Sequence, residues 1–430
     1  MQLPVHLATL PNGLRVATIP MPQVESVSVG LWIGVGGRHE PARHCGISHF
    51  IEHLTFKGTP TRSAAAIARA VESRGGYLDA YTQEELTCFH ARIAAEHLPE
   101  TLALLADLYR HPRFAEADVR RERQVIAEEI AMYRDQPSHL AEDLLMEALW
   151  VRHPLGRTLT GTEATLARME PGILRAFHRR HYVPRASVLV LAGAVESAAV
   201  LAQARQHFGT GGSALPPPPL PASLRVARQP VLLREHASEQ TQLALGFRAF
   251  GRRDPRRIAL KLASIILGEN MSSRLFRKVR EQRGWAYSIS SSSVHFSDAG
   301  FLAVDAGLDG ERTLDGLKLI LQELARLARE VPSRAEWRAA RDYATGQLRL
   351  GLESPSSQMN WVGEPLLLSD RWWQPGEAVR RLNAVSPEDI RDVMRAVLRI
   401  RRTSLVLVGQ AAGQLKEPAL QALLARHLPD

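Results

Sequence analysis

Three residues in the run GISHFIEHLTF, Gly46 to Phe56, carry side chains able to do chemistry together: His49, Glu52 and His53. On a helix, positions 49, 52, 53 and 56 share one face, because helical neighbours lie three and four residues apart. Ile47, Phe50, Ile51 and Leu54 share the opposite face at the spacing of a core stripe. The segment reads as an amphipathic helix buried on both faces, one apolar and one holding two imidazoles and a carboxylate. Buried charge is costly unless it is paired or bound to metal. Histidines at i and i+4 can share a zinc ion, and a carboxylate at i+3 can reach a zinc-bound water. The plainer alternative is a pair of hydrogen-bonded core histidines beside an exposed glutamate.

Zinc held by two histidines needs a third protein ligand and an open position for water. The run DVRRERQVIAEEIAMYRD, residues 118–135, offers candidates in Glu122 and Glu129. They lie two helical turns apart and share a face, with Ile126 between them, while Glu128 points elsewhere. One glutamate would bind the metal and the other would orient an imidazole, and spacing alone does not say which. His44 and Cys45 are near His49 in sequence and either could in principle be a ligand, but a residue four before His49 is expected to cap or precede the helix.

These residues must be positioned by a large framework. A chain of 430 residues exceeds a single core and implies at least two domains. Its 45% hydrophobic and 23% charged residues are ordinary for a globular protein. No apolar run approaches the roughly 20 residues of a membrane span. The start, MQLPVHLATLPNGLRV, has no basic region followed by an apolar core. A cytoplasmic location without a membrane partner is therefore expected. Two cysteines, Cys45 and Cys88, cannot build a disulfide framework and suit a reducing compartment. The net charge of +9 resides mostly in scattered arginine clusters such as RRDPRR and RKVREQR. No zinc-finger spacing, helix-turn-helix signature or RNA-binding aromatic motif accompanies them, so they read as solvated helix faces and no nucleic-acid partner is expected. The positive charge would still favour acidic peptides.

The stretch GTGGSALPPPPLPAS, residues 209–223, reads as a stiff Gly/Pro-rich linker. It predicts one domain over 1–208 and a second over 224–430. The halves resemble each other. SVSVGLWIGVGG (26–37) is echoed by TQLALGFRAFG (241–251), and RASVLVLAG (185–193) by RTSLVLVG (402–409). The closing glycines, Gly193 and Gly409, are 216 residues apart, about half the chain, which suggests a duplicated domain. Within the first half, strands are expected at 13–20, 26–36, 86–92 and 186–193, and helices at 45–56, 62–74, 95–110, 115–134 and 138–150. Without a regular βαβ rhythm, the expectation is an α+β fold, each domain a mostly antiparallel sheet packed against several helices.

His49, Glu52 and His53, followed by Glu129 76 residues after His53, form an inverted H-x-x-E-H pattern. With its flanks GVGGRHE, HLTFKGTP and HPLGRTLTGT, the chain resembles the insulinase/pitrilysin family of zinc peptidases over almost its whole length. The likeness is to the mitochondrial-processing-peptidase-like members with two-domain subunits. The resemblance implies Glu129 as the third ligand and Glu122 as the group orienting a ligand histidine. It implies one zinc per chain and Glu52 as the general base. The second half lacks the motif, but SSRLFRKVREQRGWAYSIS (272–290) reads as a basic helix ending near Gly284, then a strand. There the resemblance implies that Arg280 and Tyr287 hold the substrate backbone and donate to the carbonyl under attack.

The segment GGYLDAYTQEELTCFHARI (75–93) resembles the family's approach to an edge strand, onto which peptides add as an extra strand. Asp79, Ala80, Tyr81 and Thr82 are its candidate substrate neighbours, although the family commonly has asparagine where this chain has Asp79. The implied activity is endopeptidase hydrolysis of peptides or unfolded segments inside a dimeric chamber. A homodimer is the simplest arrangement, a pair with a related subunit the other. The alternative is a non-catalytic scaffold subunit of the same fold.

Overall fold

The computed structural model describes residues 2–212, 214–222 and 228–430. Ser213 and Ser223 of the expected linker, and residues 224–227 at the start of the expected second domain, lie outside the described residues. No helix among the described residues is long and apolar enough to cross a membrane.

The chain forms two compact units. In the first, six strands line up in the order β1-β2-β6-β3-β5-β4. They are β1 His6–Thr9, β2 Arg15–Pro20, β3 Ser26–Ile33, β4 Tyr77–Thr82, β5 Thr87–Ala94 and β6 Ser187–Gly193. Only the β2–β6 pairing is parallel. The helices α1 Ile47–Thr55, α2 Leu98–Arg110 and α3 Glu116–Asp135 contribute to the apolar cover of one face. Val27, Val29, Leu31 and Ile33 alternate toward that cover from β3 and meet Phe50 and Leu54 of α1, Leu105 of α2 and Ile126 of α3 in one core. Period-two alternation on the strand and the apolar stripe on the helices thus meet as the sequence pattern requires.

In the second unit, β7 Val231–Arg234, β8 Gln240–Ala249, β9 Ala286–His295, β10 Gly300–Asp309 and β11 Thr403–Val408 form a sheet in the order β7-β11-β8-β10-β9. Its one parallel pairing among the described strands, β7–β11, corresponds to β2–β6 of the first sheet. Strand order and direction match from β2 to β4 and from β7 to β9, which is the topological signature of the duplication. Gly193 and Gly409 end equivalent strands with positive φ, 131° and 148°. A Cβ at either would press on the backbone carbonyl of Ser26 or Gln240.

The second face of each sheet is covered from the other half of the sequence. Helix α4, Pro137–Leu149, packs on β8 and β11, with Leu145, Ala148 and Leu149 against Ala244, Val406 and Val408. Helix α5, Pro355–Ser369, packs on β3 and β6, with Met359, Val362 and Leu366 against Trp32, Val188 and Val190. A Cβ on Gly363 would come within 2.4 Å of the Trp32 ring, so α5 seats directly on the indole. The contiguous division at the proline run therefore needs correction. Residues 131–157 belong to the second unit and residues 348–376 to the first. The physical reason is that strands such as VLVLAG are apolar on both faces and need cover twice.

Two of the described linker residues, Thr210 and Leu220, are tied to the first unit. The Asn12 amide donates to the carbonyls of Phe208 and Thr210, and the Arg38 guanidinium donates to Leu220 O.

Candidate metal centre

Helix α1 starts at Gly46, whose φ of 90° suits glycine. Its first-turn N–H groups are met by a buried carboxylate: Gly46 N donates to Glu40 Oε2 at 2.6 Å and Ser48 N to Glu40 Oε1 at 2.8 Å. Cys45 packs beside this start with its thiol donating to Thr158 O, so it serves the turn, and His44 ends a separate short turn over 42–44. From this anchored helix, His49, Glu52 and His53 project from one face while Phe50, Ile51 and Leu54 are fully buried on the other.

Helix α3 brings Glu122 and Glu129 to that face, with Ile126 buried between them and Glu128 exposed. Ligand atoms of His49, His53 and Glu129 lie within 4.8 Å of one another. Glu129 approaches both imidazoles, Oε1 at 3.7 Å from His49 Nε2 and Oε2 at 3.6 Å from His53 Nε2. Glu122, only 2% exposed, stands behind the pair with Oε2 at 3.2 Å from His53 Nδ1. With Nδ1–H donating to this carboxylate, His53 Nε2 is the free nitrogen on the side of Glu129. The two glutamates that spacing left equivalent are thus distinguished by geometry.

Electrostatics agree with a cation site. Burial, aided by the neighbouring His53, pushes the His49 pKa down to about 3, so its imidazole is neutral, the form that binds metal. Its Nδ1 is buried with no hydrogen-bond partner among the described residues. Burial also raises the Glu52 carboxyl above the ordinary glutamate range, while a hydrogen bond from Thr82 opposes the shift. Two imidazoles and one carboxylate around a half-buried point are the donor set of a catalytic zinc site, and the residues present fit the ion.

Strand β4, at the edge of its sheet, runs beside α1. Asp79 turns its carboxylate onto its own surroundings, accepting from the Tyr77 hydroxyl and from Ala80 N. Ala80 packs against the core. The Tyr81 hydroxyl accepts from Trp32 Nε1 at 3.2 Å, which commits that side chain to the opposite face of the sheet. Thr82 Oγ1 donates to Glu52 Oε2 at 2.5 Å. Two residues at this centre were not read from sequence: Lys57, whose Nζ lies 2.8 Å from Glu122 Oε1, and Thr82 in its hydrogen-bonding role. Their signals were present: Lys57 lies one helical turn beyond His53, and Thr82 alternates with Ala80 on a strand.

In the second unit, residues 276–281 form a wide π-turn where a regular basic helix was expected. Gly284 at φ 63° and the bond from Trp285 N to Val279 O close it. Arg280 emerges there with its guanidinium 4.9 Å from the centre of the Phe276 ring and 5.7 Å from that of Tyr287. Tyr287, at the start of β9, is 75% exposed.

Comparison with known proteins gives consistent matches. Residues 15–163 match the family model described as Insulinase (Peptidase family M16), and residues 169–343 match the Peptidase M16 inactive domain. A protein of Mycobacterium tuberculosis named as an uncharacterized zinc protease is 40% identical over 93% of this chain and 92% of its own. A Bacillus subtilis protein of the same description is 36% identical over 90% of this chain and 94% of its own. Among solved structures, a protease from Helicobacter pylori superposes with a TM-score of 0.87 at 22% identity, covering 95% of this chain and 100% of that one.

Proposed function

Because the chain belongs to the insulinase family of M16 peptidases, we propose that it is a zinc-dependent endopeptidase hydrolysing peptides or unfolded polypeptide segments. The observation that carries this reading is the convergence of His49, His53 and Glu129 beside Glu52. The matched segment 15–163 contains all four, together with Glu122, while the match described as inactive begins after them.

His49, His53 and Glu129 would hold one zinc per chain, and zinc so bound supplies Lewis acidity that activates water and polarises a scissile carbonyl. Glu52 takes the proton of the attacking water and delivers it to the leaving amine. Thr82 occupies Oε2, which leaves Oε1 as the atom that carries the proton. Glu122 holds His53 in the tautomer and orientation that present Nε2. The outer edge of β4, which pairs only with β5 among the described strands, receives the substrate as an added strand near Asp79 and Ala80. Main-chain hydrogen bonds there give affinity that depends little on side chains.

Arg280 and Tyr287 supply donors for the substrate backbone and the developing oxyanion. We assign them to the zinc centre of a second chain in a dimer, a homodimer in the simplest case and a pair with a related subunit otherwise. The exposure of Tyr287 supports such a role, since a large ring held in water by a stacked guanidinium is poised for a partner.

The test compares wild type with Glu52→Gln for bound zinc and for hydrolysis of a quenched fluorescent peptide. About one zinc per chain in both proteins, with cleavage lost by orders of magnitude in the variant, is the expected outcome. Zinc in both without cleavage of any peptide by wild type would favour a scaffold subunit of the same fold. No zinc in either would end the proposal.

A further inference from the structure

The carboxylate of Glu122 divides its two oxygens between two side chains. Oε2 faces His53 Nδ1 at 3.2 Å, and Oε1 forms an ion pair with Lys57 Nζ at 2.8 Å. Lys57 is the second residue after α1, and nothing above assigns it a task. Its side chain is 37% exposed, while the carboxylate it reaches is 2% exposed. Burying a carboxylate this deeply is costly and calls for compensating partners.

The backbone around Lys57 is fixed to serve that reach. Lys57 N donates to Leu54 O, Lys57 O accepts from Arg113 Nη2, and Gly58 O accepts from Arg113 N. Gly58, at φ 131°, is too close to Arg62 O to carry a Cβ. The turn after α1 is therefore stapled to the segment leading into α3, which fixes the point from which the Lys57 side chain reaches Glu122.

A carboxylate held through one oxygen can still swing about its terminal torsion, which is broad and roughly two-fold. Held through both, it presents Oε2 to His53 in a single orientation. The imidazole plane, and with it the direction of Nε2, is then set by a chain of three side chains: Lys57, Glu122, His53. Partners one step outside a metal site commonly contribute 10- to 100-fold in metal affinity, and here the support extends one step further.

We propose that Lys57 is a positioning residue of the zinc centre, acting through Glu122 to fix the His53 imidazole. The inference rests on the zinc-site reading above. It makes Lys57 part of the apparatus that holds metal, distinct from any contribution to general stability.

The experiment measures zinc affinity against a competing chelator, and thermal stability of the metal-free protein, for wild type, Lys57→Met, Lys57→Arg, Glu122→Ala and the double variant Lys57→Met/Glu122→Ala. Lys57→Met should weaken zinc binding by about tenfold or more, with Lys57→Arg recovering part of the loss. The double variant should bind zinc no more weakly than Glu122→Ala alone, because Lys57 acts only through Glu122. If Lys57→Met lowers the melting temperature of the metal-free protein but leaves zinc affinity unchanged, the role is structural and the inference fails. Losses that add in the double variant would equally overturn it. If wild type itself binds no zinc, the zinc-site reading falls and takes this inference with it, an outcome separable from the others by the wild-type arm alone.

Discussion

Thr82 Oγ1 donates to Glu52 Oε2 across 2.5 Å, tying a residue at the end of an edge strand to the carboxylate proposed as general base. This bond links the surface on which substrate would dock to the group that would move the proton. Thr82→Val keeps the shape and removes the donor. We expect kcat to fall about 10- to 100-fold, part of the roughly 10²–10⁴ that such a base supplies. KM and bound zinc should change little. A fall in zinc content matching the fall in rate would show that Thr82 supports the metal residues instead.

Glycine 363 seats α5 on the Trp32 ring, with no room for a methyl group. Gly363→Ala should destabilise the protein by about 1–3 kcal/mol through overpacking. Chemical denaturation reads this directly, and Trp32→Phe in the same chain should recover part of the loss by opening space. Equal stability of Gly363→Ala and wild type would mean that α5 shifts freely on its sheet.

Arg38 Nη1 and Glu85 Oε1 form an ion pair at 2.6 Å whose side chains are 1% and 6% exposed. Removing one member of such a buried pair takes away a compensating charge, and typically costs about 3–5 kcal/mol where nothing else replaces it. Arg38→Met should approach that loss, and Arg38→Met/Glu85→Gln should be less damaged than Arg38→Met, a comparison made by thermal melting.

Asp305, on β10, has its carboxyl pushed from 3.8 up to about 7 by burial, with Glu142 adding to the shift. The folded state therefore holds a proton that the unfolded chain has already lost between about pH 4 and pH 7. Unfolding releases that proton, so stability declines as pH rises through this window and levels above it. The slope for one group is at most about 1.4 kcal/mol per pH unit. Asp305→Asn should remove this contribution, so that its melting temperature gains on wild type from pH 5 to pH 8. A constant difference across that range would show that Asp305 does not carry the proton.

The sequence made much of this legible because its signals were local and strong. His49, Glu52 and His53 sit on one short helix whose apolar face is unambiguous, and the predicted strand at 186–193 begins within one residue of the observed β6. Other relations depended on contacts distant in sequence. Spacing could place Glu122 and Glu129 on one face, but which of them stands behind His53 depends on how α3 lies against α1. Tyr81 and Thr82 adjoin in sequence yet serve opposite faces of β4, one meeting Trp32 and the other Glu52, as strand alternation demands. The domain division failed for a related reason. A proline run marks where the chain is stiff, whereas α4 and α5 are assigned by the sheet faces that need them. The turn at 276–281 was missed because basic composition alone does not reveal a wide turn.

The exchange of α4 and α5 also constrains how the protein can be made. During synthesis the first sheet emerges complete with β6 at Gly193, but the helix that covers its second face is not translated until Ser369. For those 176 residues Trp32, Val188 and Val190 have no α5 to shield them, and α4 waits for strands still to come. The nascent chain thus carries an apolar surface to which chaperones can bind. A ribosome stalled at the proline run would release an intermediate, not a finished domain. Conversely, two polypeptides cut at that run and expressed together would each hold the missing helix of the other, and reassembly of the pair would amount to trading them back.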